Sequence, residues 1–279
     1  KAPQPVEQNL PLVSQELMAH PKEYVCGTKL NESRREEKLR EELNGLRLLK
    51  EAGVINEEQF ERLEEMERRI FAEAARTGEI TDREIEAICV AVIRIFLGND
   101  DLLRELKAKS TNDALEEFAW VEDIISQQPD PLLAALKVAI AGNVIGTAQL
   151  LEANKKGKQE KISLKSEIQR IFSKEEGHNF DYQIFASRIK QRGKNIIYLL
   201  DNAGEVVYDL FLINILLRFG HRVTLATREG AVSNDVTEEE VIVLLNRGEI
   251  KEYFGPLLDN LKVISSGSPM KGTDLRFAS

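Results

Sequence analysis

The chain has few residues that carry thiol or imidazole chemistry: its 279 residues include only 2 cysteines and 3 histidines. Cys26 and Cys89 lie far apart and outside any CxxC spacing, which argues against a disulfide framework and against a cysteine-rich zinc site. Both are predicted to be structural, in a reducing, cytoplasmic compartment. His20, His178 and His221 are isolated in the sequence, so surface or satisfied core positions are expected for them rather than catalytic ones.

Positive charge and aromatic rings are also scarce. Lys and Arg number 38 against 47 Asp and Glu, the formal net charge is −9, and aromatic residues make up 6% of the chain. Nucleic-acid binding needs phosphate-neutralising cations and, for single strands, aromatic stacking platforms. The sequence has no signal-peptide pattern and no apolar run near the roughly 18 residues of a membrane span. Neither nucleic acid nor membrane is therefore expected as a partner.

The first part of the sequence has helical patterning. The segment NESRREEKLREELNGLRLLKEAG places leucines at spacings of three and four. Asn56 with Gln59, and Thr81 with Glu84, are placed as capping pairs at the starts of the next two helices. Residues 1–130 are therefore predicted to form a helical N-terminal region. Its proline-containing opening stretch is expected to be irregular or to contain one helix near Leu12–His20.

The pattern changes from Pro131 onward. The nearly all-apolar segment DPLLAALKVAIAGNVIGTAQLL predicts a buried helix, and short apolar runs then alternate with helical segments. Such repeats with short links indicate a parallel sheet with right-handed crossovers, so residues 131–279 are predicted to form an α/β domain. The predicted strands are 196–200, 222–226 and 261–264, and the predicted helices are 164–188, 205–219 and 237–247.

Polar side chains collect where the predicted strands end. Asp201 and Asn202 follow the first strand, and Asp235 lies in the loop after the second. In parallel α/β sheets these strand ends share one edge, where ligands bind. Two carboxylates and a carboxamide without a histidine form a hard oxygen donor set that suits Mg²⁺ or Mn²⁺. All three residues are predicted metal ligands, with Asp201 and Asp235 as the catalytic residues.

The same loops offer groups that can bind phosphate. A glycine after the first strand permits a tight turn at a helix start, where free N–H groups and the helix dipole favour an anion. The loop after the third strand, SSGS, supplies hydroxyls and exposed amides. The residues of these loops that are predicted to bind substrate are Gly204, Arg228, Asn234, Ser265 and Gly267.

Each of these residues also has a simpler structural interpretation. Asp or Asn at a strand-to-helix turn is most often an N-cap, which applies to both Asp201 and Asp235. Asn143 is compatible with a helix-packing amide, and Ser265 with an ordinary turn. The residues alone leave both interpretations open.

Four motifs together resemble a known family. YLLDNAGEVVYDL, SNDVT, AIAGNVIG and VISSGS are similar to the metal-dependent damage-control phosphatases (DUF89, including ARMT1-like proteins), over roughly Pro131 to Ser279. The resemblance implies a helical N-terminal domain packed on a three-layer, Rossmann-like α/β domain. It implies hydrolysis of sugar phosphates or damaged phospho-metabolites with Mn²⁺, Co²⁺, Ni²⁺ or Mg²⁺. It also places the family's metal ligands on Asp201, Asn202 and Asp235. The family's GN motif, near the same pocket, falls on Asn143 and the preceding glycine, which makes Asn143 a further predicted substrate-binding residue.

The sequence departs from the family pattern at three points. Gly146 stands near the place of an acidic residue that usually follows the GN motif, and the CxxC pair with which prokaryotic members commonly open is absent. Family members also continue past the third strand to a further strand and a phosphate-binding loop. The chain ends at Ser279, soon after the third strand, so it is expected to be incomplete at the C-terminus.

The function predicted from these features is metal-dependent hydrolysis of a small phosphorylated metabolite. Attack by a metal-activated water is the simpler mechanism, and attack by Asp201 stays open, although Ala203 breaks the DxDxT pattern of aspartyl-phosphate enzymes. One alternative is an S-adenosylmethionine-dependent carboxyl methyltransferase, for which a lone Gly204 is a poor glycine-rich loop. Another is a non-catalytic module that binds a phosphometabolite at the same sheet edge.

Overall fold

The computed structural model describes residues 29–77, 80–152, 164–173 and 181–267. Most of the opening stretch, the charged run that follows Glu152 and the segment from Ser268 onward lie outside the described residues.

Eleven α-helices, one 3₁₀-helix and three β-strands are formed by the described residues. In chain order they are α1 (Glu32–Glu51), α2 (Glu57–Thr77), α3 (Asp82–Leu97), α4 (Arg104–Glu116), α5 (Phe118–Ser126), α6 (Pro131–Glu152), α7 (Leu164–Ser173), α8 (Tyr182–Ile189), β1 (Asn195–Leu199), α9 (Glu205–Arg218), β2 (Arg222–Thr227), α10 (Glu238–Leu245), α11 (Gly248–Phe254), the 3₁₀-helix (Gly255–Asn260) and β3 (Leu261–Ser265).

The predicted capping pairs start the helices of the N-terminal region. The Asn56 and Gln59 side chains each accept the other's backbone N–H at 2.9 Å before α2. Thr81 and Glu84 form a complete capping box before α3, in which each side chain accepts from the other's backbone. These bonds satisfy N–H groups that have no partner inside the helix. Both predictions are confirmed.

The three strands form a parallel sheet in the order β1-β2-β3. Each predicted strand overlaps the observed one with its ends within one residue. The predicted α/β class, with helices preceding a parallel sheet, is therefore confirmed. The order follows from the βαβ connections, because α9 links β1 to β2 and α10 and α11 link β2 to β3.

Helix α9 packs on one face of the sheet. The Tyr198 hydroxyl of β1 donates to Asp209 Oδ1 of α9 at 2.6 Å. Side chains alternate between the two faces of a strand, so Ile197 and Leu199 point to the other face, where they are 69% and 71% exposed. Twelve of the 14 residues of α9 are buried, which makes this helix the centre of the α/β core.

The hydrophobic core of the α/β region extends into helices that precede it. Phe118, Val121 and Ile125 of α5 belong to the same buried cluster as Phe211 of α9. Two further clusters are built from α1, α2 and α3 and their flanking residues. The domain boundary at residue 130 stays a prediction.

One predicted helix is wrong in its extent. The span 164–188 is divided into α7 and α8, and Asp181 before α8 is not helical, with φ −79° and ψ 47°. Residues 174–180 lie outside the described residues. Helix α11 and the 3₁₀-helix were not expected, because they fall in a segment without a clear apolar period.

His221 occupies the satisfied core position expected for it. Its side chain is buried, its Nδ1 accepts from Lys194 N at 3.2 Å, and its Nε2 contacts Ile189 O at 2.7 Å. Of the helices in the described part of the chain, none combines the length and the apolar character that a membrane crossing requires.

Candidate metal and phosphate site

Two turns at the carboxyl edge of the sheet are joined by backbone hydrogen bonds. Val236 N donates to Asp201 O at 2.8 Å, and Ala203 N donates to Asn234 O at 2.8 Å. Between these bonds, Asn202 and Asp235 form an isolated antiparallel bridge. The turn after β1 and the turn after β2 therefore lie side by side. The structure brings together Asp201, Asn202 and Asp235, which are separated along the chain, as the sequence predicts.

The side chain of Asn202 is fixed by two carboxylates. Its Nδ2 donates to Glu205 Oε2 at 2.9 Å and to Asp201 Oδ2 at 3.3 Å. Asn202 is buried and Asp201 is half-buried. Because both donor contacts use the amide nitrogen, the amide oxygen is directed away from these carboxylates. An amide oxygen oriented in this way is available as a ligand for a cation.

Glu205 is the residue that the sequence reasoning missed. It is buried at the start of α9, and its Oε1 accepts from Asn143 Nδ2 of α6 at 3.0 Å. Glu205 thus connects the GN motif to the DNAGE turn, and Asn143 reaches the site through it. A carboxylate in the first turn of α9, three residues after Asn202, was the available indication in the sequence.

The environment of Glu205 favours its protonated form more than water does. Burial is the largest cause that raises its pKa, and the nearby Asp201 carboxylate adds to it. The two amide hydrogen bonds from Asn202 and Asn143 act in the opposite direction and stabilise the ionised form. A cation close to Asp201 and Glu205 would lower the electrostatic cost of ionising both.

Arg228 is bound to Asp235. Arg228 Nε lies 2.7 Å from Asp235 Oδ2, and Asp235 is only 2% exposed. A parallel bridge between Arg228 and Thr237 holds the arginine backbone beside the start of α10. The guanidinium therefore orients one carboxylate oxygen of Asp235. Its predicted contact with phosphate stays a prediction.

The third loop lies beside the end of β2. Ser266 N donates to Thr227 O at 2.9 Å, and Gly267 N donates to Ser265 Oγ at 3.1 Å. Because β2 is the middle strand, this loop is one strand removed from the turn that follows β1. Ser265 and Gly267 are thus on the correct edge of the sheet, as predicted, while their substrate contacts stay a prediction.

Gly204 is required by packing as well as by its turn. It has φ +83°, and a Cβ there would lie 3.0 Å from the backbone oxygen of Ser110 in α4. A side chain at this position would strain the backbone and press on α4. The glycine therefore has a structural role that does not depend on a bound anion.

Several charged and amide groups converge at these turns. The contacting side chains carry three carboxylates and one guanidinium, and the two amides come from Asn143 and Asn202. Such an excess of negative charge in a partly buried site is stabilised by a cation. The oxygen donors of Asp201, Asn202 and Asp235 fit a hard divalent metal.

A cleft of about 830 Å³ lies next to the turns, between α4 and α10. Ala203 and Val236 line it together with Lys107 and Thr111. Asp201, Asn202 and Asp235 do not belong to its lining residues. The three predicted ligands therefore do not form part of the wall of this cleft, although the chain neighbours Ala203 and Val236 do.

The chain is similar to known proteins over most of its length. Residues 34–279 match the family model described as the damage-control phosphatase ARMT1-like domain. The chain belongs to this family. The resemblance of the four motifs to damage-control phosphatases is thereby confirmed.

Curated relatives carry the same family name. The chain is 31% identical over 217 residues to damage-control phosphatase PH1575 from Pyrococcus horikoshii, an alignment that covers 75% of this chain and 67% of the relative. It is 27% identical over 147 residues to a damage-control phosphatase from Archaeoglobus fulgidus, covering 52% of this chain and 47% of that relative. The chain thus spans about two thirds of one relative and about half of the other.

A solved structure shares the fold. The crystal structure of a DUF89 family protein (PH1575) from Pyrococcus horikoshii matches with a TM-score of 0.64 and 25% sequence identity, over 90% of this chain and 79% of that one. The names of the relatives support a phosphatase role in the damage-control phosphatase family. None of these names specifies a substrate or a metal.

Proposed function

We propose that this member of the damage-control phosphatase family is a metal-dependent phosphomonoester hydrolase that acts on a small phosphorylated metabolite. The observation that carries the proposal is the pair of backbone hydrogen bonds that joins the turns of Asp201 and Asp235. These bonds hold two carboxylates and the Asn202 amide at the ligand-binding edge of a parallel sheet. The family's phosphatase names support the reaction class.

The residues of the site have different roles in this proposal. Asp201, Asn202 and Asp235 would hold a divalent cation, Mn²⁺, Co²⁺, Ni²⁺ or Mg²⁺, which supplies charge neutralisation of the phosphate and a lowered pKa of a bound water. Glu205 orients Asn202 by accepting from its Nδ2. Arg228 fixes Asp235 and provides the positive charge nearest to it that could also contact a phosphate oxygen.

The reaction that these residues support is attack of water on phosphorus, with cleavage of the bond to the leaving alkoxide. Asp201 is half-buried, while Asn202 and Asp235 are buried. Asp201 is therefore the carboxylate of the set that is most open to substrate and can accept the proton of the attacking water. The proton then passes to the leaving oxygen, which balances the reaction as phosphate and an alcohol.

Phosphate release from a panel of sugar phosphates and other small phosphorylated metabolites, measured with each of the four metals, tests the proposal. Asp201→Ala and Asp235→Ala are expected to reduce metal-stimulated turnover at least about 100-fold, the scale on which a charge-stabilising group acts. The turns should stay joined in both variants, because the bonds between them use backbone atoms. Turnover is compared at a temperature at which each variant is folded, since Asp235→Ala leaves Arg228 without its carboxylate partner. Asp123→Ala, at an exposed position of α5, is the matched control.

Three results would contradict the proposal. Full turnover in either site variant would show that the assigned residue is not required for catalysis. Metal-dependent binding of phosphometabolites without phosphate release would favour a binding module. Methyl transfer from S-adenosylmethionine without phosphate release would favour the methyltransferase alternative.

A further inference from the structure

A second group of possible metal ligands lies in the helical region. Glu42 of α1, Glu67 of α2 and Cys89 of α3 each offer one ligand atom, and these atoms all lie within 4.8 Å of one another. The three residues come from three different helices, so the fold and not the sequence brings them together. None of them belongs to the turns of the candidate phosphatase site.

Glu67 is a buried carboxylate whose burial is not compensated by the described residues around it. Its side chain is 1% exposed, and neither of its carboxylate oxygens has a hydrogen-bond partner among the residues that the structure describes. Burial of a polar group without a partner is costly, and burial of a charge without one is more so. Burial, with smaller contributions from Glu42 and Glu64, raises the pKa of Glu67 to about 8. This is the direction expected for a buried carboxylate that no cation neutralises.

The buried cation nearby is already engaged with other acids. Lys38 Nζ lies 3.1 Å from a carboxylate oxygen of Glu41, 3.1 Å from one of Glu42 and 3.4 Å from one of Glu86. An ammonium has three N–H donors, and these three carboxylates can use all of them. Lys38 therefore balances Glu41, Glu42 and Glu86, and within the described part of the chain Glu67 is left without a positive partner.

We propose that Glu42, Glu67 and Cys89 form a structural binding site for a divalent metal ion with affinity for sulfur, such as zinc. Cys89 is fully buried, and a thiolate ligand selects zinc-like ions over Mg²⁺ or Ca²⁺. Zn–S and Zn–O bonds of about 2.3 and 2.0–2.2 Å place ligand atoms roughly 3.5 Å apart in a tetrahedral site. The three side chains would therefore close by about 1 Å around the ion.

The ion would act as a cross-link between α1, α2 and α3. Two small hydrophobic clusters hold these helices together, and Cys89 belongs to one of them. A metal that binds only the folded arrangement stabilises it in proportion to the logarithm of its concentration over Kd. The alternative is an empty site in which a neutral Glu67 shares a proton with Glu42. This alternative predicts no metal binding here.

Cobalt titration of the full chain, after removal of metals with a chelator, tests the proposal. A thiolate-to-cobalt charge-transfer band is expected in the near ultraviolet. Such a band would not come from the proposed catalytic site, because the proposed catalytic ligands include no sulfur. The band should be absent in Cys89→Ser and should need at least about tenfold more cobalt in Glu67→Gln. It should be unchanged in Cys26→Ser, which removes the other cysteine, and in Asp235→Asn, which alters the proposed phosphatase site. Zinc should raise the unfolding temperature of the wild type and of Asp235→Asn alike.

The proposal would be overturned by the absence of a band in the wild type, by a band retained in Cys89→Ser, or by a band lost in Cys26→Ser. Glu67→Gln keeps the shape of the side chain and removes its charge. It therefore decides the question if the serine variant fails to fold, because an unchanged cobalt affinity in this variant would also overturn the proposal. The result is independent of phosphatase activity, which Asp235→Asn is expected to impair without affecting the band.

Discussion

Asp209 is a buried carboxyl group in the α/β core whose pKa is raised by its surroundings. It is 4% exposed, and burial is the first cause that raises its pKa to about 8, with further contributions from Glu205 and Asp201. The hydrogen bond that Tyr198 donates lowers the pKa of Asp209, but by less than burial raises it. The folded protein therefore holds a proton on Asp209 that the unfolded chain releases near the ordinary pKa of 3.8.

Replacing Asp209 by Asn is expected to make stability less dependent on pH. Because the pKa of Asp209 is raised in the folded state, the contribution of its carboxyl group to folding stability is fully present below pH 3.8. This contribution is lost as the pH rises to about 8. Over that window the free energy of unfolding falls by at most about 1.4 kcal/mol per pH unit because of this group. The amide oxygen introduced by Asp209→Asn can still accept from Tyr198. Urea unfolding with chelator present, at pH 5, 6.5 and 8, should show an advantage of the variant that grows with pH.

Asp123→Asn, at an exposed position, is the control for this experiment and should follow the wild type at each pH. A pH profile of Asp209→Asn that is parallel to the wild-type profile would show that Asp209 is ionised in the folded protein.

At the scale of single residues, the sequence was sufficient where the main chain decides position. Asp201, Asn202 and Asp235 could be placed together because parallel strands end at a common edge. Glu205 could not, because its importance depends on Asn143, which lies 62 residues earlier and meets it only after α6 packs on α9. A side chain's partners across such a distance depend on tertiary packing, which local patterns do not contain.

At the scale of elements, the contact between α6 and α9 depends on the absence of a side chain at Gly142. A Cβ there would lie 2.8 Å from Tyr208 Cδ2 and 3.0 Å from Tyr208 Cβ. The close approach of the two helices brings Asn143 to Glu205. The glycine of the GN motif is thus explained by helix packing, and the asparagine by the contact that this packing permits.

Gly142→Ala is expected to destabilise the protein by about 1 kcal/mol. The overpacking against Tyr208 costs roughly 1–3 kcal/mol, and the higher helix propensity of alanine recovers up to about 1 kcal/mol. Gly45→Ala is the matched control, since Gly45 also lies inside a helix but a Cβ added there would have no atom within 4 Å. It should stabilise by up to about 1 kcal/mol. Opposite shifts of the two urea midpoints are the expected result, and a stabilised Gly142→Ala would contradict the packing argument.

Helix starts were predictable where a capping pair marks them, as Thr81 and Glu84 do for α3. The starts of α4 and α5 carry no side-chain cap, and neither helix was delimited from the sequence. The interruption at Asp181 was missed for a related reason: an apolar period continues across it, while the backbone there is not helical. Local hydrogen bonds can be inferred from residue spacing, but tertiary contacts set the ends of uncapped helices.

At the scale of the whole molecule, Lys107 links the helical region to the α/β region. It is 1% exposed, and its Nζ lies 2.9 Å from Asp101 Oδ2 and 2.8 Å from Glu240 Oε1. Glu240 also caps α10 by accepting from Thr237 N at 2.9 Å. Thr237 follows Asp235 by two residues, so Lys107 supports the turn that holds the predicted metal ligand. Nothing in the local sequence around Lys107 indicates this role, because its partner Glu240 lies 133 residues away.

Lys107→Met is expected to destabilise the protein by up to about 3–5 kcal/mol, because the nearly buried Asp101 carboxylate loses its cation, while Glu240 stays partly exposed to solvent. Lys109→Met, at an exposed position of the same helix, should change stability by less than about 0.5 kcal/mol. The double variant Lys107→Met/Glu240→Gln also removes the negative charge of Glu240. Its free energy of unfolding, measured with urea, should therefore lie between those of Lys107→Met and the wild type. Metal-stimulated phosphate release should fall in Lys107→Met at temperatures where it is still folded, since the Asp235 turn loses its support. A Lys107→Met variant as stable as the wild type would show that α4 and α10 are held together by apolar packing alone.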